Sequence, residues 1–335
     1  MSTATMTTAT LDHETDVAVA DEAAFTKMLG RLNKLSVEKH FDAYADIAWD
    51  DPALTLQARD PRIQLPASDP IAATDWYRAL SPEDRSVVAM YRFAACMRIG
   101  WHFENILQRG LLTHAFRSPN GASEFRYMQH EIIEESQHTL MFQEFVDRTG
   151  LPVRGMARSW RFLAETFVFR FAKLDPALFF IFVLGGEDPA DHLQRSMLKD
   201  GLDHPLVERI MRIHVTEEAR HLSFARHYLK REVPKAGPVR RRVLSVTAPL
   251  VMGLMSRMML EPPSDLRRHV GLPRSVARQA FRTPEGRQLR KDSVAKTRKL
   301  CGELGLIDWV SRPLWRALGV WDDAPVREER EVAAA

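Results

Sequence analysis

Two stretches of the chain carry Glu-x-x-His: Glu135 with His138, and Glu218 with His221. Residues three apart on an α-helix share a face about one turn apart, so each pair can offer a carboxylate and an imidazole to one point. A further glutamate stands upstream of each pair. Glu104 precedes Glu135 by 31 residues, and Glu187 precedes Glu218 by the same 31. Two helices giving one Glu each and two giving Glu-x-x-His make the ligand set of a carboxylate-bridged dinuclear metal site. Oxygen and imidazole donors suit iron or manganese, and nothing favours a soft metal. Four glutamates balance two divalent ions when the histidines are neutral, which permits their burial. Without cations the acids would repel one another and take up protons.

Neighbouring residues compete for these roles. Glu134 and Glu217 adjoin the chosen glutamates but lie about 100° round the helix. The stripe Val207, Ile210, His214, Glu218, His221, Ala225 turns Glu218 inward. Glu165 sits in an apolar segment but breaks the 31-residue repeat, so Glu187 is preferred. Glu187 ends the apolar run that starts at Leu178, and Pro189 removes the N–H that would bond the Gly185 carbonyl, so a kink or bulge is expected there. Asp191, one turn on, is a candidate to hydrogen-bond a ligand. His214 precedes Glu218 by four residues; its spacing fits equally a hydrogen-bonded core histidine and a third imidazole ligand. Glu131 holds the equivalent place before Glu135, either bonding a ligand or facing solvent.

The elements that must position these residues are helices. Ser81-Pro82-Glu83-Asp84 is a strong helix start, with an N-cap serine, proline at the first position and acids in the first turn. Apolar residues then recur at helical spacing over roughly 82–112, 121–149, 155–173, 175–200 and 205–231, with almost no strand-like alternation. This predicts an all-α antiparallel bundle over about 81–231, preceded by an irregular, proline-containing wrapper over 21–80. C-terminal helices follow over about 239–321, all within one domain spanning 21–323. A disordered lead-in is expected over 1–20 and a disordered tail over 324–335.

The 335 residues are 45% hydrophobic and 27% charged, with a net charge of +3, too balanced for a dedicated nucleic-acid binder. Cys96 and Cys301 are the whole cysteine content, which rules out a disulfide framework and fits the cytoplasm. The segment 243–260 is apolar but contains Ser245, Thr247, Pro249, Gly253, Ser256 and Arg257. A buried helix is expected, with a membrane-apposed helix as the minor alternative. No nucleotide-binding glycine motif or serine-hydrolase elbow occurs.

In Glu-Glu-Ser-Gln-His (134–138), His-Val-Thr-Glu-Glu-Ala-Arg-His (214–221) and the single glutamates Glu104 and Glu187, the chain resembles the diiron N-oxygenases of the p-aminobenzoate N-oxygenase type. The resemblance spans roughly 80–231 and implies a ferritin-like fold. It also implies a pair of iron ions that activates O2 to oxygenate an aryl amine, and His214 as an additional ligand. The implied metal set is therefore Glu104, Glu135, His138, Glu187, His214, Glu218 and His221, with no separate catalytic residue. In the family an arginine five residues before the first Glu holds the aminobenzoate carboxylate; here Ile99 stands there, with Arg98 beside it. Met97, Trp101, Phe103, Phe179, Phe180 and Phe182 would suit an apolar or aromatic small-molecule substrate, or simple core packing. No flavin or nicotinamide motif is visible, so a ferredoxin or flavoprotein is expected to deliver electrons. Two alternatives stand beside N-oxygenation. One is a diiron hydroxylase or desaturase of a lipid-like or carrier-bound chain. The other is iron storage or detoxification, against which the long non-bundle portions and the third histidine argue, and which a mass of one or two chains, as in a homodimer, would exclude.

Overall fold

The computed structural model describes residues 5–323, with side chains from Glu22 onward except those of Phe167 and Phe169. The helices in chain order are α1 (Thr5–Glu38), α2 (Asp75–Arg78), α3 (Pro82–Ala115), α4 (Ser123–Thr149), α5 (Arg158–Leu163), α6 (Phe169–Leu174) and α7 (Pro176–Asp200). They continue with α8 (Pro205–Glu232), α9 (Pro238–Leu260), α10 (Ser264–His269), α11 (Arg274–Ala280), α12 (Pro284–Ser293), α13 (Ala295–Glu303) and α14 (Ser311–Ala317). Among the described residues there is no strand, so the chain is all-α.

Local chemistry sets the long helix ends. The Ser81 hydroxyl accepts from the Asp84 N–H at the start of α3, and the Asp175 carboxylate accepts from the Ala177 N–H at the start of α7. Gly150, at φ 65°, takes the left-handed position that ends α4. Two expectations need correction. Helical backbone runs from Thr5, where an unstructured lead-in over 1–20 was expected; that stretch has no proline or glycine to stop a helix. The wrapper expected to be irregular over 21–80 begins as regular helix, since α1 runs on to Glu38, and α7 is helical on both sides of Pro189. An irregular turn lies between α5 and α6, where Ala164–Val168 forms a π turn and leaves Glu165 exposed. The tail expected over 324–335 falls outside the described residues.

The apolar core forms two clusters, and the order in which each helix meets them reveals the topology. Along α3 the cluster containing Val88 and Met97 gives way to the one containing Phe103 and Leu107. Helix α8 runs the same way, from Leu206 and Ile213 to Leu222 and Leu229, whereas α4 and α7 run in reverse. Helices α3 and α4 therefore form one antiparallel pair, and α7 and α8 another. The crossover over 150–175, carrying α5 and α6, joins two parallel helices; one long crossover is the ferritin-like arrangement. On α4, α7 and α8 the buried acids and histidines fall in the gap between the two clusters.

The remaining elements clad this bundle. Helix α1 packs on α4 and α8, and α9 packs on α7 and α14. Helix α9 is long and apolar enough to cross a membrane by length and composition, yet Leu244, Ala248, Met252 and Met255 on one face are buried. The wrapper is pinned by a buried ion pair: Asp69 and Arg92 are almost fully buried and 3.1 Å apart, and Arg92 also donates to the Leu260 carbonyl at the end of α9. Replacing Asp69 by alanine strands a guanidinium in the core. Urea unfolding should show a loss of about 3–5 kcal/mol, the usual cost of breaking a buried pair from one side.

Candidate metal centre

Helices α3, α4, α7 and α8 bring Glu104, Glu135, His138, Glu187, His214, Glu218 and His221 into one buried layer, each no more than 2% exposed. His138 Nδ1 lies 3.3 Å from Glu135 Oε2 and 3.5 Å from Glu218 Oε1. His221 Nδ1 lies 2.9 Å from Glu135 Oε1 and 3.2 Å from Glu218 Oε1. Both rings thus aim Nδ1 at the same two carboxylates. His214 approaches with its other nitrogen, Nε2, 3.1 Å from Glu104 Oε1 and 3.7 Å from Glu218 Oε1. Glu187 is outside both close groups of ligand atoms but lines the same cavity as Glu104 and His214.

The outward nitrogens are held too. His138 Nε2 meets Glu217 at 2.9 Å, and His221 Nε2 meets Glu134 at 2.8 Å. Each bond crosses from α4 to α8, so the two histidines brace the helices reciprocally. Arg220 lies 3.0 Å from Glu134 and 3.2 Å from Glu217, joining both carboxylates. A carboxylate on Nε2–H leaves Nδ1 with its lone pair turned to the centre, the usual orientation of a metal-binding imidazole. His214 is fixed the opposite way round, with Nδ1 2.8 Å from the Gln194 carbonyl oxygen.

Glu134 and Glu217 correct the sequence reading, which turned them away from the site. A rotation of about 100° does take them off the central face, but in a four-helix bundle that direction points at the neighbouring helix, not at water. The doublet Glu-Glu-x-x-His, present in both halves, was the signal for this role. Asp191, a candidate ligand partner, instead binds Arg195 Nε at 2.8 Å on its own helix. Arg98 donates to Gln143 and stacks over Trp101.

Several carboxylate oxygens in this layer lack any hydrogen-bond donor: Oε2 of Glu104, Oε1 of Glu187, Oε2 of Glu218 and both oxygens of Glu131. Buried anionic oxygens without donors are costly unless a cation faces them. Two groups have ligand atoms close enough to share an ion: Glu104, His138, His214 and Glu218, and Glu131, Glu135 and His221. The oxygen and imidazole donors fit iron or manganese.

Protonation follows the same logic. Burial, then repulsion from neighbouring carboxylates, pushes Glu104 and Glu187 well above the usual range and Glu218 upward. Burial opposes charge on Glu135 as well, but His221 and hydrogen bonds from Glu104 and His138 hold it well below that range. Burial also opposes charge on His138, yet hydrogen bonds to Glu135 and Glu217 push it up to about 10. His214 is held well below the usual range by burial and by the adjacent His138. In the metal-free protein, protons thus occupy the place of cations.

One side of the layer opens into a cavity, lined chiefly by residues such as Phe93, Met97, Phe103, Phe142, Met197 and Met211. Glu104, Glu187 and His214 face it, and Gln194 and Cys96 add its other polar atoms. No lysine or arginine is among the lining residues. Ile99 is among them; Trp101, Phe179, Phe180 and Phe182 are not. The other side is sealed by the wrapper, where the Phe41 N–H donates to Glu217 and the Ala43 N–H to Gln137.

The family description p-aminobenzoate N-oxygenase AurF matches residues 22–305. The chain belongs to this family. It is 40% identical over 315 residues to the uncharacterized protein Rv0885 of Mycobacterium tuberculosis, covering 93% of this chain and 92% of the relative. The uncharacterized protein Mb0909 of Mycobacterium bovis matches equally over the same length. The N-oxygenase family is one of diiron ferritin-like oxygenases, which agrees with the bundle and with its buried carboxylate and histidine clusters.

Two outcomes are expected of this geometry. Loading two cations must displace protons from raised carboxyls and from imidazoles. Apparent metal affinity should therefore rise with pH, about tenfold per unit for each proton displaced, until His138 titrates near its raised value of about 10. Chelator competition between about pH 6 and pH 8 checks the sign. Replacing Glu217 by alanine frees the His138 ring and should lower metal affinity about 10–100-fold by the same titration.

Proposed function

We propose that the protein is an O2-dependent diiron oxygenase that places oxygen on the amine nitrogen of a small apolar or aromatic substrate. The observation that carries this reading is the cavity: it is apolar elsewhere, and its polar wall includes Glu104, Glu187 and His214. In this reading the two irons are held by Glu104, Glu135, His138, Glu187, His214, Glu218 and His221. When bound, they supply the activation of O2. One oxygen atom goes to nitrogen and the other leaves as water, so two electrons and two protons come from outside the chain. A ferredoxin or flavoprotein is the proposed electron donor.

The protein's own part is orientation and exclusion. Glu134 and Glu217 keep the His138 and His221 rings turned inward, and Gln194 does the same for His214. The wrapper closes the α4 and α8 side against water, leaving the cavity as the route to the site. Its methionines, Met97, Met197, Met211 and Met259, have adaptable side chains that can reshape around an apolar guest. A carboxylate on the substrate would find no basic partner there, so the preferred amine carries no anionic group. The free thiols of Cys96 and Cys301 support a cytoplasmic setting.

Metal analysis of aerobically purified protein should find two irons per chain, with Glu135→Ala and His221→Ala each losing them. Supplied with O2 and reductant, the enzyme should convert neutral aryl amines to products heavier by one oxygen atom, read by mass spectrometry. Carboxylated amines should react more slowly. Mass gain on fatty acyl compounds alone would favour a hydroxylase instead.

A further inference from the structure

We infer that Glu131 is an eighth ligand of the metal pair, bound to the ion that lies on His221. This rests on the diiron reading above. The two halves of the bundle repeat with a shift of 83 residues, which takes Glu104 to Glu187, Glu135 to Glu218 and His138 to His221. The same shift takes Glu134 to Glu217, the two carboxylates that hold the outward imidazole nitrogens, and it takes Glu131 to His214. His214 belongs to the group formed with Glu104, His138 and Glu218. Applying the repeat to that group yields Glu187, His221, Glu131 and Glu135. Three of these, Glu131, Glu135 and His221, form the second group, with ligand atoms within 4.8 Å of one another.

The state of the Glu131 carboxylate agrees. It is fully buried, and both of its oxygens lack a hydrogen-bond donor. Glu134 and Glu217, equally enclosed, are supplied by an imidazole and by Arg220. The neighbouring Tyr127 hydroxyl is itself without a partner, so it does not serve Glu131. Nor does Glu131 face the cavity, which excludes a role in holding the substrate. A cation shared with Glu135 and His221 is the partner that remains.

The consequence is an inequivalent pair. One ion has two imidazoles, from His138 and His214; the other has a single imidazole, from His221, and a further carboxylate. Hard anionic oxygen favours the more highly charged metal, so the ion on His221 is the one that holds its oxidised state more strongly.

Anaerobic titration of metal-free protein with ferrous ion, followed by Mössbauer spectroscopy of the iron-loaded samples, tests this. The parent should bind two ions and show two distinct iron environments. Glu131→Ala and the near-isosteric Glu131→Gln should each weaken one ion by more than about a hundredfold while the other keeps its parent affinity, with helix content unchanged by circular dichroism. His214→Ala should weaken the other ion. If Glu131→Gln and Glu131→Ala both bind two ions with parent affinities and spectra, Glu131 is no ligand and the inference is overturned. If both ions weaken together in Glu131→Gln, a ligand specific to one ion is likewise overturned. A parent protein that takes up no ion pair would instead sink the diiron reading on which this one stands.

Discussion

Negative charge inside an apolar bundle has to be cancelled. Seven carboxylates, those of Glu104, Glu131, Glu134, Glu135, Glu187, Glu217 and Glu218, lie almost wholly buried in one layer, with three histidines and one arginine among them. Arg220 alone cannot neutralise them. In low dielectric, such a cluster either takes up protons or encloses cations. The raised carboxyls and imidazoles describe the first state, and the donor-free oxygens define where the second would form. A plain hydrophobic core would carry no such desolvation cost; the acids make sense as ligands.

The architecture divides the labour around that layer. Two apolar clusters close it from either end of the bundle, so the metal-binding side chains need not carry the packing. Reciprocal bonds between Glu134 and His221 and between Glu217 and His138 tie α4 to α8, making ligand orientation and helix packing one interaction. The wrapper seals one side through backbone N–H groups of Phe41 and Ala43. The apolar cavity leaves the other side to a guest molecule. The two halves repeat in the spacing and type of most of these residues and differ at one place, where His214 in one half corresponds to Glu131 in the other.

Much of this was legible from spacing and caps because both are local. Ser81, Asp175 and Gly150 mark helix ends through their own side chains or backbone freedom, and the structure shows them doing so. The equal 31-residue separations placed Glu104 and Glu187 with their Glu-x-x-His partners because helix length and a short connection translate directly into position along a bundle. Pro189 removes a backbone N–H wherever it stands, and α7 carries it as an internal residue with helix on both sides. The Thr- and Ala-rich start misled, since absence of an apolar pattern does not stop a backbone from being helical.

The amino-acid order alone determined which residues can bind metal and which helices carry them, since period and interval are properties of the chain. It could not say what lies opposite Glu134, Glu217 or Glu131. Whether a residue turned about 100° from the central face meets water or a neighbouring helix depends on who the neighbours are. Only the assembled bundle made two of those glutamates braces for the opposite histidines and left Glu131 buried without a partner, because burial and pairing are relations between distant segments.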